Sequence, residues 1–322
     1  MKYIIITIDT EGDNLWEYRL GEKIFTKNSH FLPRFQELCN KYSFKPVYLV
    51  NYEMAQDEFF VNFGYEVLKN DQAEIGLHLH AWNNPPYYEI KKYYSNYGLP
   101  YLIEYPESIM YEKIKFLIDL IKNKFKCNTF THRAGRWAMN QDYFNILIQN
   151  DIKIDCSVTP HKSWSKAIGF SQNAKGSDYK NFSEEPFTIK HSKSENTILE
   201  VPVTIRNLHG FYIDKKEKFN FRVFASSLKK TMAYKPVWLR PNGKNLAEML
   251  ALVKHIKNSP SSYLMFMLHS SELMPGGSPT FKNIESINNL YLHLELLFNK
   301  ISKDFSGITL KEYYYCLNEE SF

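Results

Sequence analysis

Short, continuous apolar runs alternate along the chain with longer stretches whose apolar positions recur at helical spacing. Residues 3–9, 46–51, 73–80, 129–135, 152–158, 197–205, 236–241 and 263–271 are rich in β-branched and aromatic side chains. Such runs read as strands buried on both faces. Helical spacing appears over 31–42, 59–70, 106–126, 141–150, 245–258 and 285–301. In the clearest of these, Met110, Ile114, Leu117, Ile118, Ile121 and Phe125 mark a single face. Repeated strand–helix alternation with seven or eight strand candidates predicts a parallel α/β architecture. The strand count favours a barrel over an open sheet.

Two segments interrupt the alternation. Residues 83–105 are rich in Pro, Asn and Tyr, and residues 159–196 are polar with many Gly, Ser, Asn and Lys. Each follows a predicted strand that carries candidate chemistry, and loops of this length in a compact domain are commonly functional. No internal repeat, linker or low-complexity tract divides the chain, so residues 1–322 are expected to form one domain with two insertions.

Composition narrows the possibilities. Hydrophobic residues make up 44% of the 322, enough for a large core. The formal charge of +5 is dispersed, which excludes the basic stripe of a nucleic-acid binder. It suits a phosphorylated small molecule or an anionic membrane surface. Cys39, Cys127, Cys156 and Cys316 are far apart with no CxxC pair, which excludes a zinc ribbon. The first apolar run meets Asp9 too early for a signal peptide, and no run has the length of a membrane span. A cytoplasmic location is therefore expected.

In a parallel barrel the C-terminal strand ends form one rim, and that rim carries the chemistry. The first strand ends TIDTEGD, where Asp9 and Glu11 share a face if the backbone is extended. Two carboxylates on one side repel unless a cation or proton intervenes. Alone, the stretch reads equally well as a turn. The third strand ends GLHLHAW, which places His78 and His80 on one face, where both could offer a ring nitrogen to one metal. A lone strand histidine is more often a core residue, but a pair two apart is harder to dismiss. THRAGRW supplies Arg133 and Arg136, and an arginine there can keep a carboxylate ionised. His132 alternates away, toward the helices. In MFMLHSSEL, His269 emerges from an apolar run, placed to donate a proton to a leaving amine, with Glu272 three residues on. Taken together these groups make up a hydrolytic metal site.

These motifs resemble, in order from residue 7 to 272, those of the polysaccharide deacetylase family, the NodB-type domain of carbohydrate esterase family 4. The resemblance implies a distorted (β/α) barrel and a divalent metal, zinc above others. It makes Asp9 the catalytic base, Arg133 its positioning partner and His269 the general acid. Glu11, His78 and His80 become the metal ligands. Two departures stand out. The usual adjacent acidic pair is Asp-x-Glu here, which leaves Asp13 as a rival ligand. The second motif normally spaces its histidines four apart, a count that reaches Trp82 from His78 and Asn84 from His80. Asp155, in IDCSVTP, resembles the fourth motif and would hydrogen-bond near the site.

The resemblance implies a hydrolase of carbon–nitrogen amide bonds that deacetylates an amino sugar. The expected substrate is a nucleotide- or lipid-linked precursor of a surface polysaccharide, met in the cytoplasm or at the inner membrane surface. Trp82, Trp137 and Trp164 are candidates to stack on sugar rings. Two alternatives remain open: a metal-independent hydrolase of cyclic amides or ureides, and a non-catalytic carbohydrate-binding relative.

Overall fold

A computed structural model describes residues 1–13, 15–16, 22–88, 98–209 and 234–319. Its strands are β1 (Tyr3–Thr10), β2 (Pro46–Val50), β3 (Glu74–Leu79), β4 (Thr131–Ala134), β5 (Ile154–Asp155), β6 (Phe187–Lys190), β7 (Thr197–Glu200), β8 (Ile205–His209), β9 (Tyr234–Trp238), β10 (Tyr263–His269) and β11 (Ser306–Gly307). The α-helices are α1 (Leu32–Lys41), α2 (Glu58–Lys69), α3 (Glu107–Phe125), α4 (Gln141–Gln149), α5 (Leu246–Lys257), α6 (Ile284–Ile301) and α7 (Leu310–Glu319).

The main sheet runs β10-β1-β2-β3-β4-β5-β7 with every neighbour parallel, and β11 adds a further parallel pairing on β1. β6 closes the far edge antiparallel to β7. The result is a distorted (β/α) barrel, as the alternating pattern predicts. Its ends are joined by hydrogen bonds outside regular pairing. Met267 N–H donates to the Leu239 carbonyl (3.2 Å), and Leu239 N–H to that of Thr204 (3.0 Å). Met265 N–H donates to Thr204 Oγ1 (2.7 Å). The segments around Thr204 and Leu239 thus occupy the gap between β7 and β10.

The buried side chains form two layers, because successive strand residues face opposite ways. Ile4, Ile6, Ile8, Ile75, Leu77 and Leu79 join the helices in the outer layer. Ile5, Val47, Leu49, Ile154, Met265 and Met267 fill the barrel. The inward set continues to the rim as Asp9, Glu11, His78, His80 and His269. Gly76 belongs to it, and a Cβ there would lie 2.8 Å from Leu49 Cδ2 and 2.9 Å from the Thr131 carbonyl oxygen. Close strand packing therefore requires glycine.

Three local expectations change. The predicted strand 152–158 keeps ladder pairing only at Ile154–Asp155. The predicted strand 197–205 breaks into β7 and the start of β8 around Pro202, which has no N–H to give a ladder. The predicted strand 236–241 becomes β9, paired antiparallel with β8 rather than inserted in the parallel sheet. β6, inside the 159–196 insertion, and α7 lie outside the elements read from periodicity.

Candidate metal centre and catalytic rim

Strand register assembles the site. In the parallel β1–β10 ladder Asp9 lies opposite His269, and in β3–β4 His78 lies opposite Arg133. Period-two alternation then carries Glu11 and His80 to the same side as Asp9 and His78. Both histidines close on one oxygen of Glu11: His80 Nε2 is 2.7 Å and His78 Nε2 is 3.3 Å from Oε2. The two Nε2 atoms are 3.1 Å apart. One ligand atom from each of the three residues falls within 4.8 Å of the others, and all three side chains are buried.

This donor set fits a divalent metal. Two imidazoles and one carboxylate are a known zinc ligation, with a further position left for water or substrate. His78 Nδ1–H donates to the Arg133 carbonyl (3.0 Å), which turns the Nε2 lone pair toward Glu11. His80 Nδ1 is buried with no hydrogen-bond partner among the described residues. On that side its ring is placed by packing, against Trp82 (centroids 4.4 Å apart) and over Gly135. Burial works against the Glu11 charge, but His269, His78 and His80 outweigh it and hold the carboxyl well below its usual range.

The rivals for the third ligand are engaged elsewhere. Asp13 accepts from Lys27 N–H, Asn28 N–H and Asn28 Nδ2, at the start of the 3-10 turn Lys27–Phe31. Asn84 Nδ2 donates to the Pro85 and Lys113 carbonyls, so Asn84 faces α3.

Asp9 is bound by Arg133, whose Nη1 lies 2.6 Å from Oδ1. Both side chains are buried, and the guanidinium is spread across the barrel. Nε donates to the Cys156 carbonyl (3.0 Å), and Nη2 to Thr7 Oγ1 (3.0 Å) and to Met265 Sδ (3.4 Å). Burial alone would raise the Asp9 carboxyl, but Arg133, His78 and His269 bring it below its ordinary value.

His269 points Nε2 at this pair of acids, 3.6 Å from Asp9 Oδ2 and 3.9 Å from Glu11 Oε1. Its other nitrogen meets Glu272 Oε2 at 3.2 Å and Arg240 Nη2 at 3.0 Å. Arg240 also pairs with Glu272 (3.2 Å), and His269 N–H donates to Glu272 Oε2 (2.9 Å). Against its burial, Arg240 and His269 pull the Glu272 carboxyl down from 4.5 to about 2. Ser270 ties the two strand ends together: Glu11 N–H donates to its hydroxyl, which donates back to the Glu11 carbonyl (both 3.1 Å).

Three contributors do not stand out in the sequence. Arg240 closes the PVWLRP run, a strand end of the same kind as the other four. Glu272 is visible at the third position after His269, but its role is not. Glu53 lies three residues beyond β2, in a stretch with no motif of its own. It accepts from Gly12 N–H (3.2 Å), Asn51 Nδ2 (2.5 Å) and Asn83 Nδ2, joining the loops after β1, β2 and β3. Burial, with Glu11 adding to it, pushes the Glu53 carboxyl up from 4.5 to about 7.

Of the other predicted residues, Asp155 and Arg136 are engaged elsewhere and two tryptophans stand at the site. Asp155 binds His132 Nδ1 (2.6 Å) and the Ser157 hydroxyl (2.9 Å), and His132 turns its second nitrogen to Tyr143 of α4 (2.8 Å). This network faces the helices. Arg136 lies over the Tyr101 ring at 5.0 Å. Trp137 stacks on Trp164 (9° between planes) and carries Arg133 over its face at 5.2 Å, so these two tryptophans do flank the site. Trp238 meets Trp137 edge-on (5.7 Å), and Trp16 meets His269 (4.9 Å).

No protein-family model and no curated protein matches the sequence. Solved structures do match. A Mycobacterium smegmatis protein assigned as a polysaccharide deacetylase has a TM-score of 0.55 at 10% identity, over 100% of this chain and 92% of its own. A Parabacteroides distasonis protein assigned as a glycoside hydrolase or deacetylase has a TM-score of 0.59 at 9% identity, over 97% of this chain and 70% of its own. A GH57 branching enzyme from Thermococcus kodakaraensis has a TM-score of 0.53 at 10% identity, over 98% of this chain and 71% of its own. The chain thus shares its fold with proteins assigned as polysaccharide deacetylases and with a glycan-remodelling enzyme.

Proposed function

We propose that this chain is a polysaccharide-deacetylase-type hydrolase that removes the N-acyl group of an amino sugar with a divalent metal, zinc first among candidates. One observation carries the reading. A buried Glu11–His78–His80 cluster sits beside a carboxylate held ionised by arginine and a histidine backed by a carboxylate. The fold supports it without choosing among the enzymes that share it. The site chemistry favours amide over glycoside hydrolysis. A glycosidase needs two carboxyls free to act at the sugar. Here Asp9 keeps one oxygen, Oδ2, clear of Arg133, but Glu11 is enclosed by two histidines, so a second acting carboxyl is missing from the pair.

Glu11, His78 and His80 would hold the metal. When bound, the metal polarises the amide carbonyl and makes water more acidic. Asp9 accepts the proton of the attacking water at Oδ2, the oxygen not bonded to Arg133 Nη1. Arg133 keeps that carboxylate charged and aimed. His269 delivers a proton from Nε2 to the departing nitrogen, while Glu272 holds the ring at Nδ1. Trp137 and Trp164 wall the site. The substrate is a nucleotide- or lipid-linked precursor, handled in the cytoplasm or at the inner membrane surface.

Elemental analysis of untagged protein, paired with acetate release from nucleoside-diphosphate-linked and polymeric N-acetylhexosamine, tests the proposal. Near-stoichiometric metal is expected, with turnover of the precursor and loss of both in His78→Ala. Full hydrolysis by metal-free protein would move the reading to a metal-independent amidase. Equal release from polymer and precursor would remove the precursor assignment.

A further inference from the structure

The 159–196 insertion does two things at its two ends. Its base holds Trp164 against Trp137 at the site. From there the chain runs out as a hairpin bridged at Ser163–Asp178 and Ile168–Lys175. Gly169 N–H donates to the Ala174 carbonyl (2.8 Å), and Gly176 N–H to that of Ala167 (3.0 Å). The hairpin is fastened to the segment that follows β3. Glu104 Oε2 accepts from Phe170 N–H (2.8 Å) and Ser171 N–H (2.7 Å), and Tyr101 OH donates to the Ala167 carbonyl (2.9 Å).

Exposure along this stretch sorts its side chains. Ala167 and Gly169 lie inward and are partly covered, while Lys166, Ile168 and Phe170 are exposed. Lys175, directly across from Ile168, is exposed as well. Directly opposed residues share a face. Ile168 is 77% and Phe170 49% exposed, two apolar side chains close together on the hairpin. Among residues 165–176 there are two lysines and no acid. Neither lysine closes an ion pair with a carboxylate among the described residues. Tyr87 and Tyr88, 69% and 41% exposed, stand in the loop after β3, and Tyr88 packs on Tyr105 of the segment that anchors the hairpin.

We infer that Lys166, Ile168, Phe170 and Lys175 form a docking surface for an anionic lipid bilayer. The two apolar side chains enter the boundary between headgroups and acyl chains, and the flanking ammoniums meet the lipid phosphates. A polymer-binding cleft would instead present ring faces along a groove. Because one hairpin carries both the tip and Trp164, docking the tip brings the catalytic rim to the membrane surface. The surface rests on the lipid-linked branch of the proposed function for its purpose. Its test needs no turnover, so the two fail separately.

The full chain is sedimented with phosphatidylcholine vesicles and with phosphatidylcholine–phosphatidylglycerol vesicles. Sedimentation is expected with the anionic vesicles and is expected to weaken in high salt. Replacing Lys166 and Lys175 by alanine should lower partitioning roughly fivefold per lysine. Ile168→Ser with Phe170→Ser should lower it at least roughly tenfold with an unchanged circular dichroism spectrum, since both side chains are exposed. Wild-type protein left in the supernatant with both vesicle types overturns the inference. So does a doubly serine-substituted variant that sediments like wild type, or equal binding to the neutral vesicles.

Discussion

At His269 two ring nitrogens face opposite duties. Nε2 looks at Asp9 and Glu11, and Nδ1 looks at Glu272 with Arg240 beside it. An imidazolium that loses its Nε2 proton keeps Nδ1–H, and Glu272 is there to accept it. Glu272→Gln keeps the shape and removes the charge. Its kcat should fall roughly 10–100-fold with KM and metal content little changed. A variant that loses metal as well would make Glu272 a structural residue of the centre rather than the partner of the acid. This arrangement is half visible in HSSE, where the spacing shows but the role does not. Arg240 reaches it from the end of β9, some thirty residues away in sequence.

At the scale of elements, the centre depends on how closely strand ends and loops approach. Gly135 follows β4 under His80. A Cβ there would lie 2.4 Å from the Leu79 carbonyl oxygen and 3.0 Å from His80 Nδ1. No hydrogen bond among the described residues holds that nitrogen, so packing on this side and the Nε2 contact with Glu11 place the ring. Gly135→Ala should therefore weaken metal binding roughly 10–100-fold in a competitive chelator titration while the fold persists. Unchanged affinity would show that His80 is not placed by this contact. Glu53 supplies the second test, because it joins three rim loops. Its carboxyl titrates near 7 when folded, above its ordinary 4.5. Its contribution to stability is thus full below the ordinary value and is lost as pH rises through about 7. In chelator-treated protein, wild type should lose up to about 3 kcal/mol between pH 5 and 8 that Glu53→Gln does not lose, read from urea midpoints. Parallel curves would remove Glu53 as the cause.

Across the whole molecule, Arg133 would link stability to the proposed chemistry. It starts on β4 and touches Asp9 and Thr7 of β1, Cys156 beyond β5 and Met265 of β10. One side chain therefore spans the barrel interior beneath the rim. Arg133→Met would strand a buried carboxylate and should cost roughly 3–5 kcal/mol in urea unfolding along with activity. Restoring neutrality by adding Asp9→Asn should recover much of the stability and none of the activity. If both variants are equally unstable, the guanidinium stabilises by packing and not by charge.

The alternation of buried strands and amphipathic helices needs only local pattern, and the barrel class is legible from it. The same period of two makes Asp9 with Glu11, and His78 with His80, face-sharing pairs on local geometry alone. Contacts between distant strands are not encoded that way. Whether His80, Asn84 or Asp13 stands with His78 depends on loop paths that no periodicity carries. The tertiary structure turns Asn84 to α3 and Asp13 to Asn28, and leaves His80 beside Glu11. β8 and β9 depend on tertiary structure too, because a strand's partner is set by register and space rather than by its own residues. The sequence by itself determined which side chains could reach the rim. Tertiary structure decided which of them meet, because ligation and proton transfer depend on distances that only strand register and barrel closure impose.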